Sequence, residues 1–351
     1  MQKLIEPQHS SNQIKPFKRY WIVIPIIFGT VAVIWLFMQE FNISAFSTFH
    51  FTFISGVFIV IGFLLIFLRD ALLMWRFRLL SGYLLSWKQS FAVNVLTEFT
   101  SAITPTAVGG SGFVVFFLTK EGVETGRSAT IMLVNLLLDE LYFVIICPLL
   151  FLFIPLDEIF PPSVAMASIG YIFILLYIVH LLWVILLYTG IFIRPEWVRK
   201  VLLFIFKLPL LRRWLPKIET MTANLIQASR DIGRRSFAFW IKAALLTLFI
   251  WTLRFLVVNV IFLAFVTVDN HFTVFARQII LWIFIAIMPT PGGSGMSELA
   301  FKEYYSDIFI SGGIVLLVAI IWRLITYYLY LLLGVLVIPN WLNEAFAIRK
   351  A

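Results

Sequence analysis

Two glycine-rich motifs within apolar sequence hold the residue types best suited to binding an anion. They are Thr104-Pro105-Thr106-Ala107-Val108-Gly109-Gly110-Ser111-Gly112 and Pro289-Thr290-Pro291-Gly292-Gly293-Ser294-Gly295. Glycines let backbone amides approach a ligand closely, and a helix that begins at Ser111 or Ser294 would direct unpaired N–H groups at a phosphate. A single motif is better explained as a turn or a tight helix contact. Because the motif is duplicated, we predict that substrate contacts Gly109, Gly110, Ser111, Gly112, Gly292, Gly293, Ser294 and Gly295.

Ionisable residues in the apolar segments form a second candidate set. Each is costly at the centre of a bilayer unless it is paired or hydrated. They are Arg69, Asp70, Glu98, Asp139, Glu140, Arg254, Arg277 and Arg323. Helical spacing groups them with polar neighbours into four stripes that we expect to face inward. The stripes are Asn94, Thr97, Glu98 and Ser101; Asn135, Asp139 and Tyr142; Thr247, Trp251 and Arg254; and Arg323, Thr326, Tyr327 and Tyr330.

These charges suggest a site for a phosphate headgroup coupled to a proton or counter-ion. We expect the arginines Arg69, Arg254 and Arg323 to bind phosphate. We expect Glu98, Asp139 and Glu140 to hold the arginines or to take up protons. Any one of them fits a structural salt bridge equally well, for example Glu140 with Arg254 or Arg323. Glu298 is predicted near the exterior surface, either as a coupling residue or as an ordinary solvated carboxylate.

Composition places the chain in a membrane. Of its 351 residues, 62% are hydrophobic and 13% are charged, and the mean hydropathy is +0.99. A soluble globular domain has a far more polar composition. The net charge of +9 therefore indicates orientation in the membrane and contact with anionic lipid, and we expect no nucleic-acid partner. The single cysteine, Cys147, and four scattered histidines predict no disulfide, metal or other cofactor.

Hydropathy predicts an all-α integral membrane protein with six full transmembrane helices. The predicted spans are Tyr20 to Met38, Phe49 to Trp75, Ser128 to Phe153, Val164 to Tyr188, Phe237 to Val268 and Phe309 to Ile338. Two shorter stretches, Trp87 to Ile103 and Phe275 to Met288, run into the glycine motifs. The arms that follow, Phe113 to Leu118 and Met296 to Tyr304, are too short to cross a core about 30 Å thick at about 1.5 Å per residue. We therefore predict two re-entrant helical hairpins.

Lys and Arg predict the orientation. Basic residues cluster before the first span, at Arg76, Arg78 and Lys88, and between Arg194 and Arg235, so these regions should be cytoplasmic. The loops at 39–48, 155–162 and 268–271 contain acidic residues and no Lys or Arg. Successive loops alternate between the cytoplasm and the exterior only if the first hairpin enters the membrane from the cytoplasm and the second enters from the exterior. We expect a bacterial-type cell (inner) membrane location with both termini in the cytoplasm.

The two halves share one order of features at a constant offset. Gly292 follows Gly109 by 183 residues (292 − 109), and Arg323 follows Glu140 by the same number. Opposite orientation of two such halves is the inverted-topology repeat of many secondary transporters. The predicted divisions are a tail at 1–19, a first membrane half at 20–190, a basic cytoplasmic linker at 191–235, a second half at 236–340 and a tail at 341–351. Within the linker, Trp197 to Lys207 predicts either an interfacial helix or an ordinary loop helix.

The second motif resembles a known family signature. Pro289 to Gly295, followed by Glu298, is similar to the P-x-P-G-G-x-G-x-x-E pattern of the lysylphosphatidylglycerol synthase transmembrane region, a family also described as flippase-like. The segment Thr104 to Gly112 is similar to the companion motif, and the resemblance covers about Trp21 to Ile338. In full-length synthases this region is implicated in moving aminoacylated phospholipid, while a separate soluble domain performs aminoacyl transfer. The chain extends only to Ala351, so we do not expect synthase activity.

Three functions are consistent with these features. The leading prediction is a translocase for a membrane lipid or lipid-linked substrate with an anionic headgroup. The second is a membrane-embedded transferase on a lipid or polyprenyl phosphate, with Glu98, Asp139 or Glu298 as base; no recognisable catalytic constellation supports it. The third is a scaffold that transports nothing. The oligomeric state does not follow from the sequence.

Overall fold

The computed structural model describes residues 51–104, 110–160, 166–208, 211–309 and 312–347, and these residues are helical without a β-strand. The predicted first span, Tyr20 to Met38, lies outside them. The α-helices in chain order are α1 (Phe53–Leu80), α2 (Trp87–Ile103), α3 (Ser111–Lys120), α4 (Thr125–Phe153), α5 (Leu156–Ile159), α6 (Met166–Tyr188), α7 (Pro195–Phe206), α8 (Leu215–Gly233), α9 (Phe237–Phe265), α10 (His271–Ala286), α11 (Met296–Tyr305), α12 (Gly312–Arg323) and α13 (Leu329–Ala347). A π-helical turn, Leu324–Tyr328, joins α12 to α13.

Five helical segments among the described residues are long and apolar enough to cross a membrane. They are Phe53–Leu80, Thr125–Phe153, Tyr171–Ile193, Phe237–Phe265 and Gly313–Asn343. They correspond to five of the six predicted spans, so the chain is a multi-pass helical membrane protein. One predicted boundary is wrong, because α1 continues to Leu80 instead of ending near Trp75. Arg76, which was predicted to lie in a cytoplasmic loop, is inside this helix and fully buried.

Two pairs of shorter helices form hairpins that fold back to the side on which they begin. In the first pair, the Gln89 side chain near the start of α2 donates to the Glu121 carbonyl just after α3, at 3.0 Å. In the second pair, the Tyr305 hydroxyl at the end of α11 donates to the Val274 carbonyl near the start of α10, at 3.1 Å. The return helices α3 and α11 have 10 residues each, which corresponds to about 15 Å.

The long helices α1 and α9 pack side by side and run antiparallel. The Ser55 hydroxyl near the start of α1 donates to the Ala264 carbonyl at the end of α9, at 2.9 Å. Near the other end, Arg76 Nη1 donates to Thr247 Oγ1 at 2.8 Å. When the 183-residue offset is applied to α1, α2 and α3, their bounds fall within two residues of those of α9, α10 and α11. Corresponding helices of the two halves, α1 and α9, therefore point in opposite directions.

The linker between the halves contains the amphipathic helix that the sequence predicted. Its observed bounds are Pro195–Phe206, close to the predicted Trp197 to Lys207. Trp197, Val201 and Phe204 form an exposed apolar stripe along it. Its placement at a membrane surface remains a prediction.

Candidate functional site

A cavity of about 190 Å³ with both apolar and charged lining residues lies between helices of the two halves. All four predicted polar stripes contribute to its wall, because helical periodicity places them on the inward faces of their helices. Its charged and polar lining includes Arg69, Arg76, Thr97, Glu98, Ser101, Asn135, Asp139, Glu140, His180, Arg254, Arg323, Thr326, Tyr327 and Tyr330. Sites that enclose a whole small molecule have volumes of about 300–1,000 Å³. At about 190 Å³ this cavity is smaller than that range.

One cluster in the cavity joins α1, α2 and α9 through the Glu98 carboxylate. Arg69 Nη2 lies 2.5 Å from Glu98 Oε1, and Arg254 Nη1 lies 3.8 Å from Glu98 Oε2. Arg69 also donates to Asp70 Oδ1 at 2.8 Å, and the Tyr330 hydroxyl donates to the same carboxylate at 2.9 Å. Arg69 is thus held by two carboxylates, as burial of a charge requires.

Arg254 is held less tightly than the other buried arginines. Its distance of 3.8 Å to Glu98 is beyond hydrogen-bonding range, and among the described residues Glu98 is the one carboxylate within 4.0 Å. The guanidinium instead lies 4.4 Å from the ring centroid of Trp282, a cation–π distance. Its side chain retains 11% exposure, directed into the cavity. Arg254 therefore keeps donors available for an anion.

A second ion pair, Arg76 with Asp139, lines the same cavity. Arg76 donates through both terminal nitrogens to the two Asp139 oxygens, at 2.7 and 3.0 Å. The Trp251 indole N–H donates to Asp139 Oδ1 at 2.8 Å. Asp139 was predicted to hold one of Arg69, Arg254 and Arg323 or to take up protons, and the structure pairs it instead with Arg76. Its partner was missed, although Arg76 follows Arg69 by seven residues and so shares its face of α1.

The predicted partners of Glu140 are wrong. Glu140 Oε2 lies against Nε2 of His180 on α6, and neither Arg254 nor Arg323 is paired with Glu140. His180 lines the cavity and also packs edge-to-face on Phe143, with ring centroids 5.9 Å apart. Sequence patterns do not point to His180, because a lone histidine in an apolar helix is not part of a spaced pattern.

Arg323 and Glu298 fix the second glycine motif. Arg323 Nε donates to Glu298 Oε1 and Arg323 Nη2 donates to the Gly292 carbonyl, both at 2.9 Å. The Arg323 guanidinium also lies 3.9 Å from the Tyr327 ring centroid. Glu298 is 2% exposed, so the alternative of an ordinary solvated carboxylate is wrong. The Glu298 carboxylate is instead hydrogen-bonded to Arg323, the buried arginine of α12.

The backbone of the second motif is bonded to protein acceptors. The Gly292 N–H donates to the Thr104 carbonyl at 3.2 Å, which joins this motif to the end of α2. The N–H groups of Gly293 and Ser294 donate to Thr290 and Pro291 within the turn. Helix α11 begins at Met296, with Gly295 as its N-cap residue, instead of at Ser294. The unpaired amides expected at positions 292 to 294 are therefore absent.

The first motif is described only in part. Residues 105–109 lie outside the described residues, and this range includes Gly109. Helix α3 begins at Ser111, as predicted. Gly110 packs directly on the backbone of Ser101, where a Cβ would collide, while Gly112 has open space around it. The structure thus leaves the predicted anion contact of Ser111 and Gly112 as a prediction.

Arg277 is buried outside the cavity. It donates to both oxygens of Asp307, at 2.7 and 2.8 Å, and through Nε to the Glu158 carbonyl at 2.6 Å. These bonds tie the second hairpin to the short helix α5. Arg277 therefore has a local structural partner, as the salt-bridge alternative predicted.

Comparison with known proteins identifies the family. Residues 22–334 match the family described as the lysylphosphatidylglycerol synthase TM region. The chain belongs to this family. It is also 27% identical over 276 residues to a UPF0104 membrane protein of Archaeoglobus fulgidus, a match that covers 75% of this chain and 80% of that protein. No solved structure matches the chain. The family match is to a transmembrane region, and it gives no support for aminoacyl transfer.

Proposed function

We propose that this member of the lysylphosphatidylglycerol synthase TM region family moves the anionic headgroup of a phospholipid or lipid-linked molecule between the two leaflets. The observation that carries the proposal is Arg254, a buried guanidinium with available donors in a cavity between two antiparallel halves. A phosphate is a suitable ligand, because guanidinium binds phosphate with charge-assisted, often bidentate hydrogen bonds. The substrate tails would stay in the lipid while the headgroup crosses.

An inverted repeat is the architecture that suits this role. The antiparallel packing of α1 and α9 and the common offset of three helix pairs support it. The two folded-back hairpins are then re-entrant, one from each side of the membrane. Broken helices at membrane depth are tolerated where protein or a cavity satisfies their backbone, and the bond from Gly292 to Thr104 supplies such satisfaction. We propose a cell (inner) membrane location, with both termini in the cytoplasm.

The predicted site residues take different roles in this proposal. Arg254 binds the phosphate, and Arg69 joins it when Glu98 is displaced or protonated. Arg323 acts through Glu298 to hold the second motif in place. Asp139 and Glu140, which contact Arg76 and His180, take part in proton or ion coupling beside Glu98 only when these contacts open. The transferase alternative is less well supported, because its candidate bases Glu98, Asp139 and Glu298 are all paired with arginines.

The proposal is tested by reconstitution of the full chain in liposomes with fluorescent phosphatidylglycerol. Headgroup movement is measured as the loss of fluorescence after an impermeant quencher is added. We expect the wild type to move lipid faster than empty vesicles and Arg254→Gln to be at least about tenfold slower, since a charge-assisted bond contributes about 1.5–3 kcal/mol. The matched control is Arg230→Gln, because Arg230 is half-exposed and pairs with Glu196 on the linker.

Two results would contradict this function. The first is the absence of movement above empty vesicles for phosphatidylglycerol, phosphatidylethanolamine and a polyprenyl phosphate. The second is equal rates for Arg254→Gln and Arg230→Gln at equal reconstituted amounts.

A further inference from the structure

A second, larger cavity of about 540 Å³ lies where the start of α4, the end of α1 and helix α8 meet. Its polar lining includes Arg127, Thr130, Asn224, Gln227, Arg234 and Arg235. No residue that lines it also lines the first cavity. Its volume is in the range of about 300–1,000 Å³ that is common for small-molecule sites.

Two arginines of the cavity lining, the partly buried Arg127 and the exposed Arg235, bring their guanidiniums together beside Gly82. Arg127 Nη2 lies 3.0 Å, and Arg235 Nη2 3.4 Å, from the position that a Cβ would occupy at Gly82. Among the described residues, neither arginine has a carboxylate within 4.0 Å. Arg127 is fixed in this place by a 2.9 Å hydrogen bond to the Ser81 carbonyl. The positive charges of Arg127 and Arg235 repel each other. An anion bound between the two guanidiniums would reduce this repulsion.

The two acidic residues of the cavity lining accept hydrogen bonds from neighbouring amides of the same lining and form no ion pair with its arginines. Asp231 accepts a hydrogen bond from Gln227 at 3.0 Å, and Glu124 accepts one from the Asn224 amide. Three arginines against two carboxylates leave the lining with an excess of positive charge. The glycine at position 82 has φ +67°, a conformation that favours glycine, and its lack of a Cβ lets the two guanidiniums pack close to the backbone.

The second cavity shares two helices with the first. On α1, Leu80 lines the second cavity and Arg76, one turn earlier, lines the first. On α4, Ile131 lines the second and Asn135, one turn later, lines the first. The two cavities are therefore arranged in series along α1 and α4.

We propose that this second cavity binds a phosphate group at the cytoplasmic face, between Arg127 and Arg235. The phosphate can belong to a lipid headgroup of the adjacent leaflet or be free inorganic phosphate, because guanidinium binds both by the same chemistry. The binding itself does not depend on the proposed function. The assignment to the cytoplasmic face rests on it, as does the corollary that a lipid headgroup bound here passes next to Arg254.

The test measures binding in full-length Arg254→Gln protein, where the first cavity has lost its available guanidinium. Dioleoylphosphatidylglycerol is counted by native mass spectrometry, and inorganic phosphate is titrated by calorimetry. We expect at least one probe to bind, and Arg127→Gln/Arg235→Gln in this background to raise its apparent Kd at least tenfold. If the double Gln variant loses only phosphatidylglycerol binding, the ligand of the cavity is a lipid headgroup. If it loses only inorganic phosphate binding, the ligand is free phosphate.

Controls separate binding from folding. Arg230→Gln in the same background should change the Kd less than twofold, and Arg127→Lys/Arg235→Lys should retain part of the affinity, because the charges remain. If neither probe binds the Arg254→Gln protein, or if binding is unchanged in the double Gln variant, the proposal is wrong. Lipid movement is not measured, so these outcomes are independent of the liposome test.

Discussion

Arg254 differs from the other buried arginines in how few protein acceptors reach its guanidinium. Arg69, Arg76 and Arg323 each donate hydrogen bonds to a carboxylate, whereas Arg254 lies 3.8 Å from Glu98 and against Trp282. A buried charge held only by a long ion pair is costly. Arg254 is therefore the arginine that we propose binds the phosphate first, whereas Arg76 and Arg323 are held by Asp139 and Glu298.

The glycine at position 292 is required by the contact between the two hairpins. Its φ is +54°, and a Cβ would collide with the Tyr327 ring and lie 2.9 Å from the Ala102 carbonyl. We expect Gly292→Ala to lower the stability of the protein by about 1–3 kcal/mol or more, because strain and collision act together. The change is measured as the midpoint of thermal unfolding in detergent.

Gly112 provides the matched control for that substitution. It lies in α3 and has nothing within 4 Å of its Cβ position. Gly112→Ala should leave stability unchanged or raise it by up to about 1 kcal/mol, since alanine is the better helix former. Equal effects of the two substitutions would contradict the described contact of Gly292 with α2.

Arg76 should be essential for stability, although its sequence position suggested a surface loop. Its side chain is 1% exposed and is paired with Asp139. Arg76→Gln leaves the Asp139 charge without its guanidinium, and breaking a buried pair costs about 3–5 kcal/mol. Thermal unfolding would show a large loss for Arg76→Gln. The double variant Arg76→Met/Asp139→Leu, which removes both charges, should lose less stability than Arg76→Gln.

The exposed pair of Arg230 and Glu196 is the control for the stability loss expected of Arg76→Gln. Both side chains are at least half-exposed, and exposed pairs contribute about 0–1 kcal/mol. If Arg76→Gln were as mild as Arg230→Gln, the burial of Arg76 would be contradicted.

At the scale of elements, the sequence predicts the positions of the helices well. It predicts poorly which charged side chains of different helices pair with each other. The bounds of α2 agree with the predicted Trp87 to Ile103, because a local apolar run and a following proline determine them. The predicted end of α1 near Trp75 is wrong, because Arg76 is a buried helical residue and not a loop charge. Its partner Asp139 is 63 residues away, and local periodicity carries no information about which stripes meet. The polar faces were therefore predictable, but the pairs Arg76 with Asp139 and Glu140 with His180 were not.

The antiparallel packing of α1 and α9 can be tested by cross-linking. Ser55→Cys/Ala264→Cys should form a disulfide on mild oxidation, because the Ser55 hydroxyl bonds to the Ala264 carbonyl. Ser55→Cys/Thr247→Cys should not, since positions 247 and 264 are about 25 Å apart along one helix. The native Cys147 is buried. Gel mobility with and without reductant gives the result, and cross-linking of only the second pair would show parallel packing.

For the whole molecule, the central claim is that two hairpins enter the membrane from opposite faces and meet beside a cavity with charged lining residues. The hydrogen bond from Gly292 to Thr104 supports the meeting point, and the hydropathy and charge pattern along the chain supports the sidedness. The sequence alone predicted the offset between the halves, because a repeat preserves order. It could not predict the contact between their motifs, which depends on packing across the cavity.

The most direct measurement is labelling of single cysteines by an impermeant maleimide from each side of the membrane. Suitable exposed positions are Lys88 and Glu124 beside the ends of the first hairpin, and Asp269 and Ser306 beside the ends of the second. We predict that Lys88→Cys and Glu124→Cys react only from the cytoplasmic side, and Asp269→Cys and Ser306→Cys only from the exterior. Reaction of all four from one side, or of the two ends of either hairpin from opposite sides, would contradict the account.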